Sequence, residues 1–161
     1  MMNNFFTLEN KRRPVVYYLA VGFALISIND LILSLCFYNH PEFFENPIRD
    51  KPIFFQILFG VVLGPILETY LCQALIINFL DNLLSLPAKA QKYVVIGIPA
   101  IIFAALHAYS WAYQLAMLIP AFVFAYGYWF FRKEGKQANA FWAVCVLHML
   151  MNLAALCPDF F

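Results

Sequence analysis

The chain has 161 residues, of which 64% are hydrophobic and 12% charged, with a formal net charge of +1. Those proportions belong to an integral membrane protein rather than a soluble domain, and the near-neutral balance excludes the basic field on which nucleic-acid binding depends. The length suits one all-α, polytopic bundle of about five transmembrane helices, at roughly 20 residues per crossing.

The N-terminal stretch "MMNNFFTLENKRRP" does not read as a cleavable signal. Its basic cluster precedes an apolar run too long for a signal core, and no small-x-small cleavage site follows. Residues 1–13 are instead expected to be a cytoplasmic tail. A first span follows over Pro14–Tyr38, then the polar, proline-rich loop "NHPEFFENPIRDKP", whose Phe43 and Phe44 suit the outer membrane interface. Together these two make up residues 14–52. Residues 53–161 hold four further apolar stretches: Ile53–Leu80, Tyr93–Ser110, Trp111–Phe131 and Ala138–Cys157.

Helices are the expected form, because backbone groups in hydrocarbon must be satisfied within their own segment, and no alternating barrel pattern is present. Cys36, Cys72, Cys145 and Cys157 form no CxxC and lie in apolar segments, where they read as small buried hydrophobes. No internal repeat or second domain is visible, and without an inverted repeat a transporter is the weakest reading.

Lys and Arg set the expected orientation. Eight of the ten, Lys11, Arg12, Arg13, Lys89, Lys92, Arg132, Lys133 and Lys136, fall on one side of the alternating spans. Arg49 and Lys51 fall on the other, diluted by Glu42, Glu45 and Asp50. The bias places the N-terminus in the cytoplasm and the C-terminus outside, in a cell membrane.

The second span contains a single carboxylate, Glu68, in "GPILETYLCQALI". A carboxylate at the centre of a bilayer span costs on the order of 2.5–3.5 kcal/mol on insertion scales, so it is expected to face a cavity or a partner. His107, His148 and Asn152 are the polar groups it could meet, and His148 and Asn152 share one helical face. At a rise of ~1.5 Å per residue, Glu68, His107, His148 and Asn152 lie ~18, ~21, ~15 and ~21 Å from the cytoplasmic ends of their spans, which is one common level. Taken singly, a His or Asn can simply bond a backbone carbonyl or join helices. Four at one depth, one of them a carboxylate, point to a site. Asp30 on the first span stands apart from it; a structural role is favoured over a place in a water-filled crevice. Gly60 and Gly64 form a GxxxG that suggests close helix packing, and Pro65 frees a carbonyl one turn before Glu68.

The order and spacing of these groups resemble the CPBP family of CAAX prenyl proteases and bacteriocin-processing enzymes, also called the Abi family. A Pro-x-x-Glu-Glu-x-x-x-Arg motif looks like Pro65 to Gln73, Phe-x-x-x-His looks like Phe103 to His107, and His-x-x-x-Asn looks like His148 to Asn152. The similarity covers spans two to five. Two positions depart from it: Thr69 stands where the motif has its second Glu, and Gln73 where it has Arg. Together they remove one negative and one positive charge, and their i, i+4 spacing allows local hydrogen bonding.

The resemblance implies peptide-bond hydrolysis of a membrane-associated, prenylated or leader peptide at the membrane, with lipid as the surrounding partner and no nucleic acid. In that scheme Glu68 with His107 activates water, His148 and Asn152 hold the oxyanion, and Thr69, Gln73 and Phe103 support them. No cofactor is favoured, since these residues then have consistent roles without one. A divalent metal such as zinc is the competing reading, with Glu68, His107, His148 and Asn152 as its ligands. A non-proteolytic membrane protein of the same fold, acting in bacteriocin immunity or as a partner-binding scaffold, is the alternative to an enzyme.

Overall fold

A computed structural model describes the backbone of residues 2–135 and 137–157, and the side chains of 13–135 and 139–157. The side chains of Lys11, Arg12 and Lys136, which enter the charge bias, and the C-terminal tail lie outside the described residues. The described residues form helices joined by turns and short irregular connections, with no strand among them. Among the described residues, five helices are long and apolar enough to cross a membrane, and the protein is an integral membrane protein. They are α1 (Met2–Cys36), α2 (Ile53–Leu83), α3 (Ala88–Leu106), α4 (Trp111–Lys133) and α5 (Gln137–Leu156).

The helix ends differ from the hydropathy limits for local reasons. The first helix runs back through the expected tail, and its apolar part is Arg13–Cys36. The third starts at Ala88, directly after Pro87, and takes in the polar residues Lys89 to Lys92. It stops at Leu106, so His107 lies just past its end (φ −84°, ψ 52°) rather than inside it. Ser110 begins the next helix as its N-cap: its Oγ accepts from the Tyr113 amide at 3.0 Å and donates to the Phe43 carbonyl at 2.6 Å. At the other end of α4, Gly135 adopts a left-handed conformation (φ +72°) and donates to the Arg132 carbonyl at 3.0 Å, closing the tight turn into α5.

The fourth helix is the hub, packed against α1, α3 and α5, and α2 lies across α3 and α5. The core between them joins large aromatics (Phe103, Phe124, Tyr128, Phe131) to small residues (Ala100, Ala121, Ala125, Ala140) that let the backbones approach. Gly22 serves the same end, since a Cβ there would stand 2.6 Å from Leu147 Cδ2. Outward-facing residues are large and apolar along every span, as a lipid-facing surface requires. Cys72 and Cys145 are buried as expected, whereas Cys36 is exposed near the end of α1, and all four thiols are free.

The two ends of the bundle differ. At one, which we call the basic end, Asp81 is paired with Arg132 and Lys133 and accepts from Gln91 Nε2 at 2.8 Å, tying α2, α3 and α4 together. At the other, the loop end, residues 37–52 fold into two short 3₁₀ turns, Pro41–Phe44 and Pro47–Asp50, each opened by a proline. These turns rest on the α3–α4 connection through Phe43, whose ring meets Trp111 at 5.6 Å.

Candidate active site

Glu68 sits in α2 between two stretches of π-helix, Gln56–Leu63 and Thr69–Leu75. Such widened turns are rare and recur at functional sites. Their origin is local. The Gly64 amide bonds the Phe59 carbonyl, five residues back, and a Cβ on Gly64 would stand 2.6 Å from that oxygen. Gly64 is therefore required by its own helix and not by the GxxxG seam suggested by the sequence. The shift leaves the Gly60 carbonyl without a donor, because residue 64 is engaged elsewhere and Pro65 has no N–H. Asn152 on α5 fills that vacancy, its Nδ2 donating to Gly60 O at 2.7 Å.

His107 is held by the end of α3. Its backbone amide donates to Ala104 O at 3.2 Å, and its Nδ1 lies 2.8 Å from Phe103 O. A carbonyl can only accept, so Nδ1 carries the proton and Nε2 presents a lone pair when the ring is neutral. The imidazole thus caps an otherwise unpaired carbonyl of the last helical turn. Its ring lies nearly parallel to Tyr113, 6.1 Å away, and 4.6 Å from the Phe103 ring.

His148 is buried on α5. Its ring stacks on Phe124 at 4.7 Å and meets the Phe103 ring edge-on at 5.6 Å. Phe103 therefore touches both imidazoles and also fixes the tautomer of His107.

These placements converge on one atom. Glu68 Oε2 lies 3.5 Å from His148 Nε2 and 3.9 Å from His107 Nε2. Both separations are long for direct hydrogen bonds and short enough for a shared water. The Glu68 side chain is 40% exposed, against 18% for His107 and 5% for His148, so the cluster opens on the carboxylate side.

Asn152, expected in the same layer, is committed to Gly60 and braces α5 against α2. Thr69 and Gln73 are fully buried, but the expected hydrogen bonding between them is absent. Gln73 Oε1 and Nε2 have no hydrogen-bond partner among the described residues, and Thr69 Oγ1 has only the weakly polar Cys145 thiol beside it. The π-helical register of Thr69–Leu75 is the reason, since a widened turn no longer stacks i over i+4. The sequence reading missed Tyr113 and Phe124, which hold the two imidazoles; no local pattern marks either one in an aromatic-rich chain.

As a metal centre the donor set fits poorly. Among the described residues, no three His, Cys, Asp or Glu side chains are grouped to hold an ion. Asn152, which would be the fourth ligand, has its amide on a backbone oxygen.

The family described as type II CAAX prenyl endopeptidase, Rce1-like, matches residues 50–154, which span the end of the loop and nearly all of α2 to α5. No curated protein and no solved structure matches the chain.

Proposed function

Because the chain belongs to the Rce1-like family of type II CAAX prenyl endopeptidases, we propose that it hydrolyses a peptide bond in a membrane-associated substrate, with Glu68 as the base. One observation carries this reading: a single oxygen of the partly exposed Glu68 carboxylate faces two imidazole Nε2 atoms at 3.5 and 3.9 Å. A water between Glu68 Oε2 and His107 Nε2 donates to both acceptors and turns a lone pair towards the substrate carbonyl. Glu68 takes a proton as the water oxygen bonds the carbonyl carbon. His148, with its proton on Nε2, donates to the resulting oxyanion. Collapse breaks the C–N bond, and Glu68 returns its proton to the leaving amine. Asn152 is a positioning residue in this scheme, and no step runs through a metal.

The substrate class is a prenylated or leader peptide held at the membrane surface, with lipid as the other partner. The basic end faces the cytoplasm of a cell membrane.

The departures at Thr69 and Gln73 support a second reading, a non-proteolytic membrane protein of bacteriocin immunity or a partner-binding scaffold. The two separate on one experiment: a library of membrane peptides incubated with the purified protein and with Glu68→Gln. Cleavage by the first and none by the second supports the hydrolase. If no peptide is cut and Glu68→Gln leaves the biological phenotype intact, the scaffold reading takes its place.

A further inference from the structure

Asp30 plays no part in the scheme above, and unlike Asp81 of α2, which is paired with Arg132 and Lys133, it is a span carboxylate with no basic partner among the described residues. It lines a cavity of about 300 Å³ at the loop end, together with Arg49, Asn46, Tyr113, Leu33 and Met117. That volume is at the lower limit of small-ligand sites. One oxygen of Asp30 accepts a 3.2 Å bond from its neighbour Asn29, and no cation pairs with it among the described residues. Arg49 places Nη2 on the Ala155 carbonyl at 3.0 Å, which leaves most of its five donors unspent. A carboxyl group and a guanidinium thus share one cavity without pairing, with Leu33 and Met117 among its apolar walls.

We propose that this cavity binds a short zwitterionic peptide, its ammonium on Asp30 and its terminal carboxylate on Arg49. Carboxylate recognition by a guanidinium fork is strong and directional, and a half-buried carboxylate in a span is favourable only with a cation or water beside it. One side chain, Tyr113, links the cavity to the Glu68 cluster. Tyr113 lines the cavity, accepts from Asn46 Nδ2 at 3.3 Å, and stacks on His107 from the same position. A link between this ligand and turnover rests on the hydrolase reading, in which each cleavage leaves a new ammonium on the C-terminal fragment. The binding itself does not depend on turnover.

The test uses the full-length protein in nanodiscs, carrying Glu68→Gln so that nothing is consumed. Equilibrium dialysis measures labelled Ala-Leu, its N-acetyl form and its C-terminal amide. Free Ala-Leu is expected to bind, and each blocked form to bind about tenfold or more weakly, as for loss of one charge-assisted contact. Asp30→Asn should weaken free Ala-Leu and abolish the penalty of acetylation. Arg49→Gln, whose amide can still reach Ala155, should abolish the penalty of amidation. Absence of binding, equal binding of blocked and free peptides, or an acetylation penalty that survives Asp30→Asn would each overturn the proposal. Failure of the hydrolase reading appears separately, as a peptide cut equally well by wild type and Glu68→Gln.

Discussion

At the scale of single residues, the site divides into groups that face the open carboxylate and groups that hold them there. Glu68→Gln removes the base and is expected to abolish cleavage in a peptide assay. His148→Ala should lower the rate on the order of 100- to 1,000-fold, the usual cost of an oxyanion donor. Chelators at constant pH should leave the rate unchanged. If chelation stops cleavage and one equivalent of zinc restores it, Glu68, His107 and His148 have to be reread as ligands. Gln73 has a different role. A buried amide with neither atom bonded is destabilising, so Gln73→Met should raise stability by about 1–3 kcal/mol, read as a higher melting temperature in detergent. Thr69→Val should reduce activity less than Glu68→Gln does. A larger loss at Thr69 would make it a participant in the chemistry.

At the scale of the helix, the π-helical register of α2 is what joins it to α5. Gly64 turns back to Phe59, Pro65 has no proton to give, and the Gly60 carbonyl is left for Asn152. Asn152→Ala therefore leaves a carbonyl unpaired and should cost about 1–3 kcal/mol, with cleavage reduced yet measurable. Pro65→Ala restores an N–H at the position that can serve Gly60. In that background Asn152→Ala should cost less, giving a coupling of about 1 kcal/mol in a double-mutant cycle followed by thermal unfolding. Strict additivity of the two changes would show that the proline is not the reason for the bond. The end of α3 works by the same logic, with an imidazole taking up a carbonyl that the stopped helix cannot satisfy.

At the scale of the whole molecule, two differently built ends enclose the bundle. The Asp81–Arg132–Lys133 cluster ties three helices at the basic end, while aromatic turns cover the α3–α4 connection at the loop end. The distribution of Lys and Arg predicts that the basic end is cytoplasmic. Reporter fusions at Lys89 and at Gln137 should both give a cytoplasmic signal. An external signal from either would reverse the placement of the site opening and of the Asp30 cavity relative to the membrane.

The sequence alone determined the membrane class, the five helices and the two helices, α2 and α5, on which Glu68 and His148 sit. Apolar runs of bilayer length and an isolated carboxylate are strong local signals, and the ordered motifs at Pro65, Phe103 and His148 added the family. Tertiary structure decided what those signals cannot carry. Hydropathy marks where a chain is apolar but not where a helix stops, so His107 was expected inside α3 when it lies just past its end and caps it. The partner of Asn152 depends on the choice between i+4 and i+5 bonding in another helix, which the residue spacing on α5 does not reveal. Thr69 and Gln73 share a face only in an α-helix, and α2 is π-helical there. In each case the deciding interaction is made between helices or by a change of helical register, and neither leaves a trace in local spacing.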